Sequence, residues 1–185
     1  MLAIALIHYP VLDKAGRIIG SSVTNLDIHD IARAARTFGA DRYFVVTPYV
    51  EERRLVTEIV GHWRDGYGAR YNPARGEALS LVRVADSLPS VLQEMAAEYG
   101  KSPLVVATSA RLCEKGIDYQ HLQRAMAEGR AALLLFGTAH GLAQEVIDQA
   151  DCTLPPIQGA GYYNHLSVRS AVSIVLDRLL GAARE

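Results

Sequence analysis

The chain has 185 residues, half of them hydrophobic and 21% charged, which suffices for one domain with a substantial core and is ordinary for a soluble globular protein. Its net charge of −1 excludes a molecule that holds nucleic acid by overall positive charge, so any RNA or DNA contact must come from a local patch. No apolar stretch approaches the ~20 residues needed to cross a bilayer, and the apolar start, residues 1–7, lacks the basic flank and the length of a signal peptide.

Two further features of composition bear on function. Arginine greatly outnumbers lysine, which occurs only at Lys14, Lys101 and Lys115. Arginine suits bidentate phosphate contacts, but a GC-rich genome produces the same bias, and composition is the first explanation. Cys113 and Cys152 stand far apart and outside any Cys-x-x-Cys. They read as reduced, inert thiols of a cytoplasmic protein. There is no internal repeat, and residues 1–185 are expected to form a single domain.

Residues 2–8 are a continuous apolar run, the pattern of a central parallel strand. Residues 9–23 read as a loop with a turn at Asp13-Lys-Ala-Gly16. Thr24 or Asn25 can cap a helix through Asp27, Ile28, Ile31, Ala34, Ala35 and Phe38, which Gly39 ends. Residues 42–47 are the next strand, closed by Pro48, and residues 51–63 a helix with acids in its first turn. Residues 61–76 hold Trp63, Arg64, Tyr67, Arg70, Tyr71 and Arg75 among four glycines and read as an ordered loop. Its interleaved aromatic and basic residues suit a grip on single-stranded RNA; packing against the core or a partner subunit explains the same composition.

Residues 77–81 suit a helical turn and residues 81–85 a strand. Ser87 caps a helix over residues 88–99 with Pro89 in its first turn, and Gly100 ends it. Residues 104–108 are another buried strand, and Asp118 caps a helix that Gly129 stops. The apolar run 131–136 then breaks into the glycine loop Gly137-Thr-Ala-His-Gly141. A short helix, a short strand at Asp151-Cys-Thr-Leu154, a second loop over residues 155–164 and a helix from near His165 complete the chain.

Strands alternating with helices predict an α/β fold, a mostly parallel sheet with helices on both faces. Ligands of such sheets sit outside the carboxyl ends of the strands. The loops at residues 108–111, 137–141 and 155–164 all lie there. Glycines in two of them permit close approach of backbone groups to a ligand. The usual nucleotide signatures are missing: there is no Gly-x-Gly-x-x-Gly after the first strand and no Gly-x-x-x-x-Gly-Lys-Ser/Thr, and a Gly-x-Ser-x-Gly elbow is also absent. The histidines show no pairing of a metal-site type, and Asp27-x-His29-Asp30 reads as the polar first turns of a helix rather than a metal site.

Three segments in order resemble the three motifs of the SPOUT class of S-adenosylmethionine (SAM)-dependent RNA methyltransferases. They are residues 24–40 followed by a strand; Leu133-Leu-Leu-Phe-Gly-Thr-Ala-His-Gly-Leu142 with the acidic helix and Ala150-Asp151; and Leu154-Pro-Pro-Ile157 through Asn164-His-Leu-Ser-Val168 with the last helix. The whole chain, with Ile7-His-Tyr-Pro10 and Arg70-Tyr-Asn-Pro73, is similar to a bacterial group of stand-alone SPOUT proteins described as RNA methyltransferases. The resemblance implies a C-terminal trefoil knot, a homodimer, SAM bent into the knot loops, and tRNA or rRNA as partner. Carried over residue by residue, Gly137, Thr138 and Gly141 match the second-motif cofactor loop. Leu154, Pro156 and Ile157 match the strand end beside the adenine. Asn164, His165, Leu166 and Ser167 match the turn that starts the last helix, and Thr108 and Ser109 a further cofactor wall. Arg33 falls where ribose-methylating members carry an arginine for phosphate and the target hydroxyl.

Two departures from the ribose-methylating pattern leave ribose and base both open as targets: Ala139 and His140 stand where a glutamate is usual, and His165 stands at an asparagine position with Asn164 before it. Arg33, Asn164 and His165 are the catalytic candidates. Arg36 competes with Arg33, and a solvent-facing arginine explains either. A plain tight turn explains Gly137 and Gly141 without a ligand, and His140 and His165 suit hydrogen-bonding roles as well as a general base. The rival readings are a knotted RNA- or cofactor-binding protein without turnover and a flavodoxin-like small-molecule binder.

Overall fold

The computed structural model describes residues 1–110 and 115–181; Arg111 and Cys113, both read in the sequence, fall outside them. In chain order the elements are β1 (Leu2–Ile7), β2 (Val11–Leu12), β3 (Ile18–Ile19), α1 (Asn25–Thr37), β4 (Arg42–Val46), α2 (Val50–Arg64), α3 (Tyr67–Tyr71), α4 (Pro73–Leu79), β5 (Val82–Ala85), α5 (Leu88–Tyr99), β6 (Leu104–Thr108), α6 (Tyr119–Ala127), β7 (Ala132–Gly137), α7 (Gln144–Asp148), β8 (Cys152–Leu154) and α8 (Val168–Leu180).

Six strands form one sheet in the order β5-β4-β1-β7-β6-β8, and every ladder in it is parallel. β1 is central and wholly buried. Its side chains alternate between two cores, as a strand covered on both faces requires. Leu2, Ile4 and Leu6 join Leu134 and Phe136 beneath α1, α2, α4, α6 and α8. Ala3, Ala5 and Ile7 join Leu133 and Leu135 beneath α5 and α7. Two layers of helices on an α/β sheet are what the alternation in the sequence predicts. The only antiparallel pair among the named strands is the small hairpin β2–β3, inside the segment read as a loop; Asp13 closes it by accepting from the N–H groups of Ala15 and Arg17.

Thr24 is the α1 cap and accepts from the N–H of Asp27. The segment read as an ordered loop over residues 61–76 is instead mostly helical: the end of α2, all of α3 and the start of α4. Two of its glycines, Gly68 and Gly76, serve close packing rather than chain reversal. A Cβ on Gly68 would stand 2.6 Å from the Trp63 ring, and one on Gly76 2.7 Å from the Trp63 carbonyl oxygen. Asn72 caps α4 with Pro73 in the first turn. The last helix starts later than the sequence suggests: Ser167 caps α8, so His165 and Leu166 precede it. Among the described residues no helix is long and apolar enough to cross a membrane.

Candidate active site

β7, β6 and β8 are neighbours, and the segments that leave their carboxyl ends therefore emerge side by side. After β7 the chain turns at once. The Gly141 N–H donates to the Thr138 carbonyl, Gly141 has φ +103° and Ala139 φ +51°. A Cβ on Gly137 would stand 2.5 Å from the backbone nitrogen of Leu142 and 2.8 Å from the carbonyl carbon of Gly141. The two glycines are thus required by the turn itself, before any ligand is considered.

The turn is clamped by the β2–β3 hairpin. Leu12 N–H donates to the Gly141 carbonyl, His140 N–H to the Leu12 carbonyl and Ala143 N–H to the Pro10 carbonyl. Beneath it runs a buried polar chain. Thr138 Oγ1 donates to the Ile7 carbonyl at 3.2 Å, and Ser21 Oγ lies 2.5 Å from Thr138 Oγ1. His8 Nδ1 lies 3.2 Å from both the carbonyl oxygen and Oγ of Ser21. With Thr138 donating to Ile7, the chain assigns the Ser21 proton to Thr138 and the ring proton of His8 to Nδ1. His8 is fully buried, and its Nε2 has no hydrogen-bond partner among the described residues. Burial holds its pKa below the ordinary 6.5, against the opposing pull of the Asp27 carboxylate. The Thr138 side chain therefore faces the interior, and toward the cleft it offers backbone. Sequence reasoning did not single out His8 or Ser21 as support for this loop, because the contact joins positions 117 residues apart.

At the end of β6 the Thr108 hydroxyl donates to the Leu135 carbonyl at 2.8 Å, and Ser109 is half-buried beside it. At the end of β8, Leu154 and Pro156 line a cleft of about 220 Å³ with Gly116, Ile117, Asp118, Thr153 and Pro155. Asp118 is already committed as the α6 cap, accepting from the His121 N–H at 2.8 Å. Ile157 packs against the core, and its carbonyl accepts from the Asn164 side-chain amide at 3.0 Å. That bond closes residues 157–164 into a compact, largely exposed loop. At its end the rings of Tyr163 and His165 lie 5.1 Å apart, and Asn164, His165, Leu166 and Ser167 are all exposed. Apolar walls at β8 and open loop backbone nearby fit a purine nucleoside, whose faces want apolar contact and whose edges want backbone donors and acceptors.

Arg33 stands apart from these loops. It lies on the exposed side of α1, nine residues into the helix, and among the described residues it makes no ion pair. Arg36, its competitor, is held by Glu77. α1 is nevertheless tied to the third loop: Arg169, in the first turn of α8, reaches Asp27 at 3.5 Å and Asp30 at 3.6 Å. Nothing in the sequence singled out Arg169. Asp27 also accepts from the Thr24 hydroxyl, and the His29 ring packs edge-on to Trp63, so this acidic turn is structural. Among the described residues no three His, Cys, Asp or Glu side chains gather as a metal site. Burial raises the pKa of the Cys152 thiol, in keeping with an inert cysteine.

The profile of a family described as SAM-dependent RNA methyltransferase matches residues 1–181. The chain belongs to this family. A protein of Oleidesulfovibrio alaskensis named tRNA (guanine-N(1)-)-methyltransferase is 45% identical over 179 residues, 97% of this chain, but the chain spans only 42% of that relative's length. A protein of Aquifex aeolicus without an assigned function is 41% identical over 98% of this chain and is covered to 89% of its own length. The solved SpoU methyltransferase AviRb from Streptomyces viridochromogenes, in complex with the cofactor AdoMet, shares the fold with a TM-score of 0.59 at 16% identity, over 97% of this chain and 59% of that one. Membership of this family favours the catalytic reading over a binding protein without turnover and over a flavodoxin-like small-molecule binder.

Proposed function

We propose that residues 1–185 act as one domain that methylates tRNA or rRNA with SAM held at the carboxyl ends of β6, β7 and β8. The observation that carries this reading is the emergence of three adjacent loops, two of them clamped by hydrogen bonds, from one end of a parallel sheet. In this reading Thr108, Ser109, Leu154, Pro156 and Ile157 supply the cofactor's walls. The backbone of Gly137, Thr138 and Gly141 and the turn from Asn164 through Leu166 to Ser167 supply its polar edges. When bound, SAM supplies the methyl group on a sulfonium leaving group. The protein's own tasks are to aim the target, exclude water and receive a proton. Arg33 grips a phosphate beside the target. Asn164 and His165, exposed between β8 and α8, orient the target atom and take up its proton.

The C-terminal segment is knotted in this reading, and the chain works as a cytoplasmic homodimer. Exposed apolar residues at the start of α1 and in the third loop, Leu26, Tyr163 and Leu166, support a face covered by a second copy. The guanine-N(1) specificity in the name of the relative belongs to a protein more than twice this chain's length, so ribose and base both stand as targets. The test is transfer of a tritiated methyl group from SAM to separated tRNA and rRNA from cells lacking the gene, followed by digestion to nucleosides. Label in one modified nucleoside is expected; no label in either fraction, with a folded protein that binds SAM, refutes turnover.

A further inference from the structure

The aromatic and basic residues between α2 and α4 divide into two groups, which packing separates. Trp63 is a half-buried anchor packed against the core. The Arg75 guanidinium lies 4.5 Å above its ring, and the rings of His29 and His62 meet it edge-on at 5.6 Å and 5.3 Å. Gly68 lets α3 settle directly on the indole, since any Cβ there would collide with it. Tyr67 and Tyr71 are spaced by four residues and so share one face of α3. That face lies in solvent, while Gly68 beside it meets the Trp63 ring. Their rings stack 6.3 Å apart at 20° to each other, and they are 74% and 73% exposed. Two nearly parallel aromatic rings held on a packed base and left in solvent have no role in this chain's core.

We infer that Tyr67 and Tyr71 are a stacking platform for unpaired bases of the RNA substrate, with Arg64 and Arg70 holding the adjoining phosphates. The inference rests on the RNA methyltransferase reading above. Charge decides the occupant. Arg64 and Arg70 are exposed and make no ion pair among the described residues, whereas of the nearby acids Glu77 is taken by Arg36 and Glu58 by Arg54, leaving Asp65. In a chain of net charge −1 this is a local cationic patch. It is continuous with Arg33: His29 lies one turn before Arg33 on α1 and touches Trp63. Burial and the positive charges of Arg75 and Arg33 hold the His29 ring toward its neutral form. Arginines beside open aromatic faces match single-stranded RNA, which offers phosphates and π-faces together. A second copy of this chain seated on the same face would set arginine against arginine. An acidic protein would leave the tyrosine faces without a partner.

The test uses the full chain and two fluorescein-labelled probes, an oligouridylate of about 12 nucleotides and an RNA duplex of the same length, in anisotropy titrations. The pair Tyr67→Ala/Tyr71→Ala is expected to weaken oligouridylate binding at least ~10-fold and duplex binding far less. Tyr67→Phe/Tyr71→Phe is expected to restore it, because stacking needs the ring and not the hydroxyl. Arg64→Ala/Arg70→Ala is expected to weaken both probes and to flatten the salt dependence. Calorimetric titration of the same variants with S-adenosylhomocysteine is expected to match wild type. Failure of wild type to bind S-adenosylhomocysteine would tell against the methyltransferase reading alone and leave the platform to be judged by the RNA probes. Equal oligouridylate binding by wild type and the alanine pair, or no binding by wild type, would overturn the platform. So would an alanine pair that sediments as a smaller species with RNA binding intact, which would make the patch a subunit interface.

Discussion

Replacing Gly137 by alanine separates a loop that merely turns from a loop that holds the cofactor. The added Cβ would stand 2.5 Å from the Leu142 nitrogen and 2.8 Å from the Gly141 carbonyl carbon, where ordinary contact begins at 3.4 Å. Both neighbours are backbone, so no side chain can swing aside, and the turn has to withdraw by roughly 1 Å. Such overpacking costs about 1–3 kcal/mol, a fall in Tm of roughly 2–12 °C for a chain of this length. Withdrawal of the turn moves every backbone group aimed at the cofactor, and we expect the Kd for S-adenosylhomocysteine to rise at least ~10-fold, about 1.4 kcal/mol. Gly39→Ala is the control. Gly39 has φ +76° after α1 with open space where its Cβ would be, so the substitution strains only the left-handed backbone, at about 1–2 kcal/mol. Calorimetry and thermal unfolding on both variants read the two quantities separately. Gly39→Ala should lower Tm and leave cofactor affinity intact; Gly137→Ala should lower both. A Gly137→Ala protein with reduced Tm but wild-type affinity would refute the placement of the cofactor against this turn.

Two other perturbations follow from the same geometry. Arg33→Ala should reduce methyl transfer by about 100-fold, the scale of losing a positioning contact, with unchanged affinity for S-adenosylhomocysteine. Arg36→Ala breaks only an exposed pair with Glu77, for which no measurable loss of transfer is expected; equal losses in the two variants would dismiss Arg33 as the special arginine. His8 contributes a pH dependence to folding. Its pKa is lowered in the fold, so the native state prefers the neutral ring, and stability present above the unfolded value near 6.5 falls as pH drops from there toward the folded value. Urea midpoints measured at intervals from pH 7.5 to about 5 should show that slope, and His8→Gln should flatten it; an unchanged slope in the variant would assign it to other groups.

Much of the fold was legible because its signals are local. The Thr24 cap, the stops at Gly39, Gly100 and Gly129, and the alternation of buried strands with amphipathic helices each lie within a few residues. The errors arose where glycine has two meanings. Gly68 and Gly76 read as loop residues, yet their function is to let helices close on Trp63. The Asn72–Pro73 cap, legible in retrospect, marked the start of α4. The cap at Ser167 with Ser170 three residues on was likewise available for α8. The glycine turn after β7 was also readable, but not its support, because His8–Ser21–Thr138 and Arg169–Asp27 are contacts between distant segments. The split of residues 63–75 into an anchor and an exposed pair required side-chain positions.

The most direct measurement of the central claim is a crystal structure of the full chain with S-adenosylhomocysteine bound. The account predicts the adenine against Leu154, Pro156 and Ile157, with the remainder of the molecule held by the backbone of residues 137–141 and the turn at residues 164–167. A ligand seated at the opposite end of the sheet, or against α3, would contradict it.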